Sequence, residues 1–206
     1  MGTILYESVE ELISSDESIE KNKKQQEYVN YIKEHVLNVQ IAFNRYFIPL
    51  LEKDNICEIV SDQEFKEAIN RASVSILDHD SSKYSDEEFD GYREKYYPTV
   101  SELANEDFQK QVEERSEKAW EHHYTNNWHH PKYWFDSENH TYKDMNLEAI
   151  IEMICDWTSF NIKSGNPIGV LDWYTNKANS EKASMSSKTK LIVEEILFKV
   201  LSFEKV

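Results

Sequence analysis

SDQEFKEAINRASVSILDHD, residues 61–80, carries apolar side chains at Phe65, Ala68, Ile69, Ala72 and Ile76. Steps of three and four place them on one face of a helix, whereas a half-buried strand would need steps of two. Ser61 and Glu64 form an S-x-x-E capping box in front of that face, so a helix over 62–78 is expected. The stretch ends on His79 and Asp80, with Lys83 three residues further on. A charged cluster behind an apolar face is either a helix end meeting water or a site that holds something.

The same period recurs along the chain. Val29, Ile32, Val36, Val39 and Phe43 predict a helix over 26–47, stopped by Pro49. SDEEF at 85–89 reads as a second capping box that opens a short helix ending near Pro98. Further helices are expected over 101–126, 146–163 (containing LEAIIEMICDW and stopped by an SGNP turn) and 187–203. Residues 5–14 read as a short amphipathic piece, and 176–188 as a mobile loop for which a lid over a site is one reading. Four glycines and four prolines supply too little turn chemistry for a many-stranded fold. The fold class expected is all-α, a helical bundle.

Its 206 residues, 39% of them hydrophobic, suit one domain over 1–206, with 1–25 as an N-terminal extension. No run approaches the roughly 18 apolar residues of a membrane span, and the acidic N-terminal stretch lacks a signal-peptide pattern. The chain therefore reads as cytoplasmic, with no membrane partner. Gly2 alone is too weak a signal for myristoylation. Cys57 and Cys155 lie in apolar surroundings and read as buried free thiols. Thirty-nine acidic against 23 basic residues, a net charge of −16, would repel a long nucleic acid. A small anion remains compatible with it, because a metal centre supplies local positive charge.

Seven histidines occur, at 35, 79, 122, 123, 129, 130 and 140, and four of them crowd into AWEHHYTNNWHHPKYW at 119–134. Imidazole and carboxylate together suit divalent first-row metals, and one carboxylate has two oxygens with which to bridge a pair of ions. His35, the HDSSK run at 79–83, the later histidines and the helical Asp156 resemble the pattern of HD-domain metal phosphohydrolases, all-α enzymes whose motif is His, then His-Asp, then Asp. YIKEH, HDSSKYSDEEF, HHYTNNWHHPKYW and MNLEAIIEMICDW together are similar to an uncharacterised family of bacterial and phage proteins.

The HD resemblance implies that His35, His79, Asp80 and Asp156 hold one divalent ion. Asp80, His123 and one or both of His129 and His130 would hold a second. The ions would be Mn, Fe, Co, Ni or Zn, with Mg also compatible. Adjacent helical residues diverge by about 100°, so His122 and His123 are not expected to ligate together, and the closer resemblance favours His123. Lys83 occupies the place of the HDxxK lysine, where it would hold a phosphate oxygen as a point charge; otherwise it is a cation at a helix C-terminus. Asp80 and Lys83 are thus the expected catalytic pair.

The function implied is hydrolysis of a phosphoester of a nucleotide or small cyclic nucleotide by a metal-activated hydroxide. The substrate partner is then a small anionic nucleotide, met in the cytoplasm, or in the host cytoplasm if the gene is viral; the oligomeric state is left open. Two alternatives stand beside it: a non-catalytic helical protein that binds a nucleotide or a partner, and a di-iron HD-type oxygenase. Asn127 would orient an imidazole or cap a helix. Trp128, Tyr133, Trp134, Trp157, Trp173 and Tyr174 are core or base-stacking residues, with Tyr133 and Trp134 the better placed for stacking. His140 lies outside both patterns.

Overall fold

A computed structural model describes residues 8–166 and 169–202. Residues 5–7 of the expected N-terminal piece, Gly2, Pro167 of the SGNP turn and residue 203 lie outside the described residues. Among those described the chain is all-α: α1 (Ser8–Tyr46), α2 (Asp62–Ser75), α3 (Phe89–Tyr96), α4 (Val100–Ala104), α5 (Glu106–Asn126), α6 (Leu147–Lys163), α7 (Gly169–Asn176), α8 (Asn179–Ala183) and α9 (Ser187–Ser202). A two-residue antiparallel hairpin, β1 (Phe135–Asp136) with β2 (Thr141–Tyr142), is the exception, pairing Phe135 with Tyr142. No described helix is long and apolar enough to cross a membrane.

The chain divides into two compact units, one made of residues up to Lys33 with Ser82–His123, the other of Glu34–Ser81 with the residues from Tyr124 onward. In the second unit α6 packs against α2, α7 and α9. It is buried on almost every side from Leu147 to Ser159, as a helix apolar all round should be. Phe65, Ala68, Ile69 and Ala72 of α2 meet it, as do Ile192, Val193, Ile196 and Leu197 of α9. Asn146 caps α6 by accepting the Ala149 N–H at 2.9 Å, and Ser61 caps α2 by accepting that of Glu64 at 3.3 Å. Cys57 and Cys155 are buried free thiols, as expected. Burial and the neighbouring Glu195 push the Cys57 thiol up to about 11, which favours the protonated thiol.

The first unit departs from the expected boundaries. The helix expected over 101–126 is two: α4 opens on a capping box of Thr99 and Glu102 and stops at Asn105. Asn105 turns extended, and its side chain accepts the Phe108 N–H at 3.0 Å to begin α5. The expected Ser85 capping box does not form, because the Ser85 N–H already donates to the Ser82 carbonyl at 2.8 Å and Glu88 is turned inward. The helix there begins at Phe89 instead. Arg93, fully buried, bridges α3 to α4 through both oxygens of Glu102, at 2.6 and 2.9 Å.

Two further expectations change. The polar run before residue 26 is no linker, since α1 is continuous from Ser8. The expected loop over 176–188 contains α8 and is pinned by Ala178 and Met185, which are buried in the core, so the lid reading loses its basis.

At Gly91 α3 lies close against α5. A Cβ there would stand 2.7 Å from the Arg115 carbonyl oxygen and 2.8 Å from the Ala119 Cβ. Gly91→Ala gains about 1 kcal/mol of helix propensity but forces the helices apart, at a cost of about 1–3 kcal/mol. The thermal midpoint followed by circular dichroism should therefore fall by a few degrees; a rise would contradict the close approach.

Candidate metal centre

A helix buried on all sides ordinarily carries no charge, yet α6 carries Glu152 and Asp156, both buried. Four residues apart, they lie on one face. The buried stripe of α1 runs Tyr28, Ile32, His35, Val39, Ala42 and Phe43, and so carries the His35 imidazole inward; Val29 and Val36, expected on it, are only partly buried. His79 and Asp80 follow a single 3-10 turn, Ile76–Asp78, at the end of α2. Neighbouring helical side chains diverge, but here His79 is extended (φ −52°, ψ 133°) and Asp80 is left-handed (φ 59°). That break lets both side chains face one point. Holding a non-glycine residue there costs about 1–2 kcal/mol, the kind of strain that collects at functional sites.

His35, His79, Asp80 and Asp156 are brought together in one unit. His35 Nε2 lies 3.2 Å from Asp80 Oδ2 and 3.1 Å from Asp156 Oδ1. His79 Nε2 lies 3.6 and 3.7 Å from the same two oxygens. His79 Nε2 is buried and makes no hydrogen bond, an orphaned nitrogen aimed at two carboxylates just beyond bonding reach. Donor atoms bound at 2.0–2.2 Å to a common ion stand about 3.0–3.4 Å apart. The two His35 spacings fall within that range and the two His79 spacings just above it. His35, His79 and Asp80 offer ligand atoms within 4.8 Å of one another, as do His79, His129 and Asp156, so the cluster could hold a divalent ion.

The far side of each imidazole is fixed as ligation requires. His79 Nδ1–H donates to Glu152 Oε1 at 2.9 Å, so that when the ring is neutral Nε2 keeps its lone pair. Ser159 Oγ donates to the Asp156 carbonyl at 2.7 Å and accepts from His35 Nδ1 at 3.3 Å, with the same result. Glu152 also takes the Trp128 indole N–H at 2.8 Å and stands 3.2 Å from His129 Nδ1. Glu152 was missed from sequence; its only signal was an acid inside an otherwise apolar helix.

Protonation follows from this crowding. Burial alone would lower the His35 and His79 pKa values, but the carboxylates outweigh it: Asp156 and Asp80 raise His35, and Asp80, Asp156 and Glu152 carry His79 to about 10. Burial, and then the charge of His79, lower His129 despite Glu152. Asp156 and Glu152 are held well below the carboxylate range, because their imidazole partners overcome a burial that would raise them. The carboxylates thus demand positive charge, which protons on imidazole or a metal ion can supply, so metal binding must release protons.

Asp80 has a second set of neighbours. Its Oδ1 stands 3.6 Å from His129 Nε2, and Asp80, His129 and His130 each offer a ligand atom within 4.8 Å of one another. The His130 ring stacks on Tyr124 at 4.1 Å, and its backbone N–H donates to the Asn127 carbonyl at 3.0 Å. Lys83 and His123 belong to the other unit. There Lys83 Nζ lies 6.0 Å from the Tyr92 ring centre. Buried Glu88 joins His123 Nδ1 at 2.9 Å and His122 Nδ1 at 2.8 Å, a carboxylate that sequence reading placed in the capping box at 85–89. His140 is exposed near the hairpin, its ring 6.5 Å from that of Phe135.

If Glu152 sets the tautomer of His79, Glu152→Gln keeps the shape but loses a charged acceptor. Its affinity for Zn or Mn, titrated against a chromophoric chelator, should drop about 10–100-fold while helicity persists. Unchanged affinity would make Glu152 a packing residue.

No curated protein and no solved structure matches the chain. A family model covers residues 24–199, a span containing every residue of this centre, and the chain belongs to that family of unknown function (DUF5662).

Proposed function

We propose that the protein is a metal-dependent phosphohydrolase of HD-domain type that cleaves a phosphoester of a nucleotide or small cyclic nucleotide. The observation that carries this reading is the placement of Asp80. Its Oδ2 faces His35 and His79 while its Oδ1 faces His129, so one carboxylate addresses two sets of imidazoles. That is the arrangement expected of a ligand bridging two ions.

His35, His79 and Asp156 would hold the first ion with Asp80, and His129 and His130 would hold the second with it. His123 and Lys83 enter on the sequence pattern, His123 as a further imidazole ligand and Lys83 as a point charge for a phosphate oxygen. When bound, a pair of divalent ions polarises a phosphoryl oxygen and makes water acidic enough to attack at neutral pH. The chain's own part is to hold its imidazoles in the ligating tautomer through Glu152 and Ser159. The buried setting of Glu152 and Asp156 also keeps competing water from the ligand atoms. No side-chain nucleophile is required.

The test is a panel of nucleoside mono- and triphosphates and cyclic nucleotides, assayed with Mn, Fe, Co, Ni, Zn and Mg. Asp80→Gly serves as control: it removes the carboxylate, and glycine suits the left-handed backbone at that position, so the fold survives. At least one phosphoester should be turned over by wild type, with Asp80→Gly reduced at least about 1,000-fold, since both ions lose a ligand. Wild-type silence across the panel, or full activity in Asp80→Gly, would sink the proposal.

A further inference from the structure

Phe160 follows Asp156 by four residues on α6 and so shares its face. Burial along α6 ends at Ser159, and Phe160 is the point where the helix leaves the core with a large apolar side chain 56% exposed. Its ring centre lies 5.1 Å from that of His35, tilted by 33°. An accessible aromatic face therefore stands against the imidazole that donates Nε2 to the centre.

Phe135 and Phe198 of this unit are also exposed, but no ring contact joins either to His35, His79, His129 or His130, and the aromatic residues expected from sequence to stack a base are engaged in packing. Trp134 donates its indole N–H to the Trp128 carbonyl at 2.6 Å, and Trp128 donates its own to Glu152. Trp157 meets Trp173 edge-on at 5.1 Å and Tyr174 at 5.9 Å, against the core. Tyr133 is exposed but leans on Trp134 edge-on at 5.4 Å, and no ligand imidazole is paired with its ring. The sequence expectation that Tyr133 and Trp134 are the better stacking residues therefore gives way to Phe160.

We propose that Phe160 determines specificity, by stacking the planar base of a substrate whose phosphoryl group is held at the His35–His79–Asp80–Asp156 centre. This rests on the phosphohydrolase reading and names the residue by which that site would recognise the base of its nucleotide. Stacking tolerates any base, because every base has a π-face, so the preference is for a base over none and not for one base among four. The phosphoryl-binding residues set the reaction, and Phe160 selects what the ester carries.

The test uses binding, not turnover. Adenosine phosphonate and ribose phosphonate, whose carbon–phosphorus bonds resist hydrolysis, are titrated calorimetrically into metal-loaded protein. Wild type should bind the adenosine compound at least about tenfold more tightly, and Phe160→Ala should lose about 5- to 100-fold for that compound alone. Ribose phosphonate affinity and metal content should stay unchanged, and Phe160→Trp should retain the preference. If Phe160→Ala weakens both compounds equally, or neither, Phe160 does not stack the base. If ribose phosphonate binds but the base adds nothing in wild type, this inference fails while the phosphohydrolase reading survives. If neither binds the loaded protein, that reading fails and this one with it.

Discussion

Three carboxylates, Asp80, Glu152 and Asp156, are buried in one helical unit, and the rest of that unit is arranged around the cost of keeping them there. An isolated charge in such surroundings costs several kcal/mol even after relaxation, so each carboxylate needs a cation or a proton donor. The His79 ring spans two of them: Nδ1 bonds to Glu152 and Nε2 faces Asp156, acids one helical turn apart on α6. One imidazole thus ties the inner carboxylate, which orients, to the outer one, which can ligate. Replacing the set by apolar residues would suit a stability optimum better, which argues that the charges are kept for chemistry.

The same requirement explains the backbone. Two adjacent side chains cannot both face an ion from a regular helix, so α2 tightens into a 3-10 turn, His79 extends and Asp80 turns left-handed. The strain falls on the residue whose two oxygens point to different neighbours. α6 meets the demand by a different route: it is capped at Asn146 and packed against α2, α7 and α9 while Glu152 and Asp156 project from one face. A site borne on packed helices is positioned more closely than one on loops.

Much of this was legible in the residues. The periods of α2 and α6 and the cap at Ser61 follow from local rules, and His35, His79, Asp80 and Asp156 stand out by chemical type. Glu152 and Glu88 did not, because a carboxylate that orients an imidazole looks in sequence like any acid in a helix or a charge run. Its partners are set by tertiary packing, 73 residues away for Glu152 with His79 and 35 for Glu88 with His123. Asn105 divides a continuous amphipathic pattern because a side-chain cap outcompetes propagation there, and nothing in the sequence marks Phe160, whose exposure depends on where burial along α6 ends. Ser85 misled because a motif supplies the atoms of a capping box without reserving them for it.

Anomalous diffraction from crystals grown with Mn or Zn tests the centre most directly. A peak should lie about 2.0–2.2 Å from His35 Nε2, His79 Nε2, Asp80 Oδ2 and Asp156 Oδ1, with any second peak on the Asp80 Oδ1 side, near His129. Metal-saturated crystals without a peak among those four atoms, their imidazoles bonded directly to the carboxylates, would contradict the account.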